Sequence, residues 1–130
     1  MEGIPISSYK DLMVWQKSMN LVVEVYRLTE DFPNFELYSL ISQMRRSAVS
    51  IPSNIAEGKT RGTKKDYRHF VVIAFASGAE LEMQIELSKR LYKNSNINYT
   101  PADNLLEEVM KMLNTLKYKL TTYAPKYLNP

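Results

Sequence analysis

One stretch of this sequence decides its fold: Gln43-Met-Arg-Arg-Ser-Ala-Val-Ser-Ile-Pro-Ser-Asn-Ile-Ala-Glu-Gly58. Its apolar residues recur at steps of three and four, which is the spacing of one face of an α-helix, and this spacing continues past Pro52. A proline inside a helix removes one hydrogen bond and clashes with the preceding turn, at a cost of about 3 kcal/mol. Packing against other elements has to offset that cost. We therefore predict a helix that kinks near Pro52 without ending there, and that ends at Gly58 in the left-handed conformation.

Outward from this stretch, three further segments of the sequence show helical spacing, and none shows the alternation of a strand. The breaks between them are Phe32-Pro33-Asn34, a basic turn from Lys59 to Gly62, and the polar run from Asn94 to Asn98. Four amphipathic helices with short connections predict one all-α domain, an antiparallel up-down-up-down four-helix bundle. The predicted helices cover residues 11–29, 36–57, 64–93 and 101–123.

The sequence also predicts which residues cap the helices and which residues face the core. The adjacent small residues from Ala76 to Gly78 are expected where another helix comes close. The residues predicted as N-terminal caps are Ser8 with Asp11, Asn34, Thr63 with Asp66, and Thr100. The stripe of the first helix predicted to face the core is Leu12, Trp15, Met19, Val22 and Tyr26.

Several apolar residues lie off the predicted stripes, on more than one helix. Scattered exposed apolar residues are normal, but a single buried seam does not need this many, so we expect self-association. These residues are Val14, Val23, Ile41, Val49, Phe75 and Met83.

Composition is that of an ordinary globular protein, with 45% hydrophobic and 24% charged residues. Because there is no cysteine, the chain has no disulfide and no thiolate, which fits a reducing compartment. The sequence starts without a signal-peptide pattern, and no apolar run approaches the ~18 residues of a membrane span. We therefore expect a cytoplasmic protein without a membrane partner.

No residue pattern predicts a reaction. Gly58-Lys59-Thr60 matches the end of a phosphate-binding loop, but Ser53 stands where that motif has its first glycine, and a helix precedes it instead of a strand. His69 is the only histidine, and no cysteine or second histidine can complete a zinc site with it. We predict that the protein is not an enzyme and that it holds no cofactor or metal.

Positive charge is concentrated in about a fifth of the chain. The net charge is +3, but between Gln43 and His69 seven basic residues face two acidic ones, a net of +5 that leaves −2 for the rest. Such a concentration favours a polyanion partner, and arginine and a helix N-terminus both suit phosphate oxygens. We predict weak, sequence-tolerant binding of RNA or DNA; solvation of a helix end and surface pairing with carboxylates are the alternative. The predicted binding residues are Arg45, Arg46, Lys59, Arg61, Lys64, Lys65 and Arg68.

Three pieces of the sequence together resemble one family. They are Tyr9-Lys-Asp-Leu-Met-Val-Trp-Gln16, Phe32-Pro33 followed by Glu36-Leu-Tyr-Ser-Leu40, and the stretch from Gln43 to Gly58. From about Tyr9 to Tyr92 the chain resembles the four-helix-bundle proteins encoded in intervening sequences of bacterial 23S rRNA genes, also called S23 ribosomal proteins. The segment Ile73-Ala-Phe-Ala-Ser-Gly-Ala-Glu-Leu-Glu82 departs slightly from the family pattern I-A-x-G-S-x-x-E-L-E.

The resemblance implies an antiparallel four-helix bundle that assembles as a homo-oligomer. Relatives are similar to the accessory protein of diversity-generating retroelements, a pentameric barrel with a basic surface that binds nucleic acid. Five subunits are therefore expected, with a dimer as the second choice. The family name records a gene location and does not imply a ribosome component. One alternative stays open: a structural or protein-interaction oligomer without a nucleic-acid ligand. In that alternative the residues that form buried polar links between subunits are Arg45, Arg46, Asn54 and Glu57.

Overall fold

The computed structural model describes residues 8–121, and within that range every regular element is a helix. Helix α1 spans Met13–Glu30, α2 spans Leu40–Arg61, α3 spans Lys64–Leu91 and α4 spans Thr100–Lys119. Single 3-10 turns at Tyr9–Asp11 and Asn34–Glu36 precede α1 and α2. The all-helical prediction is confirmed, and residues 122 and 123 of the predicted fourth helix lie outside the described residues. None of the described helices is long and apolar enough to cross a membrane.

The four helices surround one core. The backbone of α1 lies close to α2 and α4, and that of α3 lies close to the same two helices, whereas within residues 8–121 no close backbone approach joins α1 to α3 or α2 to α4. The α2–α3 contact is the most extensive. All four helices contribute aliphatic side chains to the core. Its fully buried members include Leu21, Val25, Met44, Ile51, Ile55, Leu81, Val109 and Leu113.

The face of α1 that packs into the core is only partly the predicted one, since Leu12, Trp15 and Val22 are partly buried against the core. Leu21 and Val25 are fully buried, whereas Met19 and Tyr26 of the predicted stripe are each 41% exposed. The prediction was wrong for Met19 and Tyr26 because α1 carries apolar residues on two faces. The buried face also contains Ser18, whose hydroxyl donates to a carbonyl of its own helix at 2.8 Å. A hydroxyl that has a hydrogen-bond partner can be buried. The face of α1 that contains Ser18 therefore lies in the core although its sequence pattern is interrupted by a polar residue.

Helix α2 starts later and ends later than predicted, at Leu40 and Arg61. It continues past Pro52, which is buried, as predicted; the kink itself stays a prediction. Gly58 does not end the helix, so that prediction is wrong. It is buried inside α2, and a Cβ there would stand 2.8 Å from Phe70 Cβ on α3. The helix ends instead at Gly62, whose φ of 90° is left-handed.

Helices α3 and α4 meet at a small residue. Gly78 is buried on α3, and a Cβ at this position would overlap the Met110 sulfur on α4. The close approach predicted for the segment from Ala76 to Gly78 is therefore confirmed at its last residue. Helix α3 ends at Leu91, two residues before the predicted end.

Two of the predicted caps are present and two are not. The Thr63 hydroxyl accepts from the Asp66 amide at 3.1 Å and caps α3. Ser8 forms the predicted capping box, although the box opens a 3-10 turn instead of α1. Asn34 begins a 3-10 turn and does not cap α2, while Thr100 is already the first residue of α4. The last two predictions were wrong because a short polar side chain near a helix start fits several positions.

Candidate nucleic-acid interface

Five of the seven predicted binding residues come together where α2 leads into α3. Only Gly62 and Thr63 separate the two helices, so the last turn of α2 and the first turns of α3 share one end of the molecule. Glu57 and Asp66 lie among the five, so the local net charge is +3. We call the five residues the junction cations; they are Lys59, Arg61, Lys64, Lys65 and Arg68.

The two junction cations of α2 are engaged with neighbouring side chains. Arg61 Nε lies 2.8 Å from the Glu57 carboxylate, and both side chains are half exposed. The Arg61 guanidinium carbon also lies 4.9 Å from the centroid of the Phe70 ring. Lys59 Nζ lies 5.6 Å from the Tyr67 ring. Exposed pairs of this kind contribute little to stability, so these charges remain available to a partner.

The first turn of α3 carries the most open part of this surface. Lys64 and Lys65 are exposed. Within the described residues, their backbone N–H groups donate no hydrogen bond. Free N–H groups at the start of a 28-residue helix attract anions. Asp66 in the same turn opposes this attraction because its carboxylate is negative.

Arg68 is half-buried beside the same turn. Its Nε is buried and has no hydrogen-bond partner within residues 8–121, and the same holds for the Tyr67 hydroxyl. Burial raises the pKa of Tyr67, so this hydroxyl stays neutral. Arg68 and Lys59 are only partly exposed, whereas Arg61, Lys64 and Lys65 are exposed.

Arg45 is far from the junction and has structural contacts. Its Nε donates to Thr29 Oγ1 at 2.9 Å, and a terminal nitrogen donates to the Tyr26 carbonyl at 3.4 Å. The guanidinium carbon lies 4.4 Å from the centroid of the Tyr26 ring. Arg45 therefore ties α2 to α1. With a rise of 1.5 Å per residue, Arg46 and Arg61 are about 22 Å apart along α2, so the seven cations form two groups.

Arg46 is exposed and lines a cleft between α2 and α3 that sequence reasoning missed. The cleft has a volume of about 400 Å³ and polar walls. Ser50 Oγ and Ser77 Oγ lie 2.8 Å apart in it, and Ser47 Oγ donates to Glu80 Oε1 at 3.2 Å. We call it the polar cleft; its lining residues are Gln43, Arg46, Ser47, Ser50, Ser77, Glu80 and Gln84. The sequence did carry a signal for this cleft. It is the pair of serines three residues apart on α2, together with Glu80 and Gln84, which follow Ser77 by three and seven residues on α3.

Three of the four residues of the structural alternative, Arg45, Asn54 and Glu57, have partners within one chain. Asn54 Nδ2 donates to the Ser50 carbonyl at 2.8 Å and to Ser50 Oγ at 3.0 Å. Glu57 pairs with Arg61. Among the described residues, no three His, Cys, Asp or Glu side chains stand in a metal-binding arrangement.

Comparison with known proteins assigns the chain to a family. A family model described as 23S rRNA-intervening sequence protein matches residues 10–115. The chain belongs to the 23S rRNA-intervening sequence protein family. This match extends from the turn before α1 into α4, so it includes every junction cation and the whole polar cleft. The resemblance predicted from the sequence is confirmed.

A solved structure of the same kind supports this assignment. It is the crystal structure of a protein of unknown function from the S23 ribosomal protein family of Bacteroides thetaiotaomicron. The two structures agree with a TM-score of 0.72 at 25% sequence identity, over 81% of this chain and 95% of that one. No curated protein matches the sequence.

Proposed function

We propose that this member of the 23S rRNA-intervening sequence protein family is a non-enzymatic homo-oligomer that binds RNA or DNA weakly through phosphate contacts. The observation that carries the proposal is the group of junction cations. Two helices bring five cations and two carboxylates to one end of the fold. Three of the cations are exposed, and two open backbone amides lie beside them.

The bundle is inferred to have the up-down-up-down arrangement. Contacts between α2 and α3 run in opposite order along the two helices, because Ser47 pairs with Glu80 while Gly58 packs on Phe70. The same order holds for α3 and α4, because Lys89 Nζ lies 2.7 Å from the Asp103 carboxylate while Gly78 packs on Met110. A kink at Pro52 would fit this bundle, since the helix continues on both sides of the proline.

Self-association is supported by the outer face of α3. Val72, Met83, Leu87 and Leu91 are 39%, 56%, 41% and 54% exposed. On a helix these positions lie on one side, opposite the buried residues such as Leu81. A helix that is apolar on opposite faces needs a second burial partner. The α3 outer face therefore favours contact with another copy of this chain.

A second apolar patch lies on a different side of the fold. It is formed at the groove between α1 and α2, where Tyr26, Leu37, Tyr38 and Val49 are exposed and Arg45 and Arg46 also line the walls. Two unlike patches suit a heterologous contact, in which one patch of each subunit meets the other patch of the next subunit. Such a contact closes into a ring when the rotation allows. The expectation of five subunits rests on the family resemblance.

The binding of nucleic acid would depend on ionic strength. A phosphate contact releases counterions, so a log–log plot of the binding constant against salt concentration has a slope near −0.9 per phosphate neutralised on duplex DNA. A ring of subunits repeats the weak site, which raises the overall affinity through avidity. The experiment is fluorescence anisotropy with duplex DNA and structured RNA at ~50 mM salt and above. We expect binding to both that weakens steeply with salt. Absence of binding at low salt would remove the nucleic-acid part of the proposal.

A further inference from the structure

The polar cleft contains a buried acceptor without a donor. Gln84 is only 2% exposed, and its Oε1 is buried with no hydrogen-bond partner within residues 8–121. Buried amide oxygens are nearly always paired in folded proteins. Gln84 lines the cleft, so a donor that enters the cleft is the group placed to satisfy it.

Two opposite charges line the same cleft without neutralising each other. Arg46 lies on α2 and Glu80 on α3, and no ion pair joins them in the described part of the chain. Ser47 donates to Glu80 Oε1 at 3.2 Å, which fixes the carboxylate and leaves Oε2 without a partner among those residues. The cleft therefore offers an acceptor region on α3 and a guanidinium on α2.

The ligand chemistry follows from this pattern. An ammonium group has three donors and no acceptor, which matches the Glu80 carboxylate and the Gln84 amide oxygen. A carboxylate matches the planar guanidinium of Arg46, which can bind it with two hydrogen bonds. We propose that the polar cleft binds a small zwitterion that carries an ammonium and a carboxylate, of the size of a free amino acid. The volume of about 400 Å³ lies at the lower end of the range for ligand sites.

This site is distinct from the junction cations. Glu80 and Lys65 are about 22 Å apart along α3, and the cleft has one positive and one negative side chain. A phosphate would meet the Glu80 carboxylate there and be repelled. The serines add only neutral hydroxyls, and those of Ser50 and Ser77 are bonded to each other. The zwitterion proposal therefore does not depend on nucleic-acid binding.

The experiment is ligand-observed saturation-transfer NMR on the full chain with the twenty common free amino acids at millimolar concentration. For each amino acid that binds, the matching amine without the carboxylate and the matching acid without the amine are tested. We expect at least one zwitterion to bind, and each half-ligand to bind about tenfold more weakly or worse, since each lacks one charge-assisted contact. No binding by any amino acid, or a half-ligand as good as the zwitterion, would overturn the proposal.

Variants identify the site. Glu80→Gln should weaken zwitterion binding about tenfold, while Glu82→Gln, the same change at an exposed position outside the cleft, should leave it unchanged. Gln84→Met tests the buried acceptor; if this variant fails to fold by circular dichroism, Glu80→Gln decides alone. Equal binding by Glu80→Gln and wild type would place the ligand elsewhere and refute the assignment.

Discussion

Gly58 on α2 lies directly against Phe70 on α3, so closely that a Cβ at Gly58 would stand 2.8 Å from Phe70 Cβ and 3.2 Å from the Tyr67 carbonyl oxygen. Both neighbouring atoms belong to the backbone or to the base of a side chain, so neither can move alone. The glycine therefore sets the distance between the helices that carry the junction cations.

The first prediction concerns this contact. Gly58→Ala should lower the free energy of unfolding by about 1–2 kcal/mol, because overpacking outweighs the gain in helix propensity. Denaturant unfolding measures the change. The control is Ser53→Ala at an exposed position of the same helix, which should change stability by no more than about 0.5 kcal/mol. An alanine variant at Gly58 as stable as wild type would show that the helices are not so close.

A second prediction concerns the two ends of the pH range. The Glu36 carboxylate accepts from Ser39 Oγ at 2.6 Å and from the Tyr92 hydroxyl. These two bonds, the one from Ser39 first, lower the pKa of Glu36 below its ordinary 4.5. Burial, and then the bond to Glu36, raises the pKa of Tyr92 from 10.0 to about 12.

Stability should consequently fall at both ends. Below pH 4.5 the unfolded chain takes up a proton that folded Glu36 does not, so stability decreases as the pH falls. Between pH 10.0 and about 12 the unfolded chain releases a proton that folded Tyr92 keeps, so stability decreases as the pH rises. In urea unfolding, Tyr92→Phe should lessen both losses, while Tyr118→Phe, at a 74% exposed position, should not. Identical pH profiles for the two variants would contradict the Glu36–Tyr92 link.

The third prediction separates Arg45 from Arg46. Arg45→Ala removes the bonds to Thr29 and Tyr26 on α1 and should lower the free energy of unfolding by about 1–2 kcal/mol. Arg46→Ala, at the neighbouring exposed position, should change it by no more than about 0.5 kcal/mol. Thermal unfolding of the two variants gives the comparison. If Arg46→Ala were the more damaging change, Arg45 would not be the tie between the helices.

The fourth prediction tests self-association through α3. Met83→Glu with Leu87→Glu places two charges in the exposed apolar face and should give a monomer of 15.1 kDa in sedimentation velocity, where wild type sediments as an oligomer. Asn104→Glu with Asn114→Glu adds the same charge at exposed polar positions of α4 and should leave the oligomer intact. A monomeric wild type, or an oligomer that both double variants retain, would exclude this face.

The helices could be predicted from the sequence because their apolar residues recur regularly at steps of three and four. The continuation of α2 past Pro52 followed from the apolar residues Ile51 and Ile55 on either side of it. The end of α2 could not be predicted, because a glycine at position 58 indicates a helix cap unless its contact with Phe70 is known. The seven cations are close in sequence, but fifteen helical positions separate Arg46 from Arg61, which places them about 22 Å apart along α2. The polar cleft was missed because its residues come from two helices and each alone resembles ordinary surface.

Phosphate binding by the junction cations can be tested with a pair of matched triple variants. Arg61→Ala, Lys64→Ala and Lys65→Ala are combined, and the matched control combines Arg27→Ala, Arg90→Ala and Lys93→Ala. Both sets remove three exposed cations; the junction set loses one ion pair to a glutamate one turn earlier and the control set loses two. Arg90 lies about 37 Å along α3 from Lys65.

The salt dependence of affinity is then measured for wild type and both triple variants on duplex DNA and structured RNA. We expect the junction variant to bind both more weakly, to a similar extent, and with a shallower salt slope, because phosphates carry no sequence information. The control variant should keep a slope close to wild type. A junction variant that binds as tightly as wild type with the same slope, or a control that loses as much, would contradict the account.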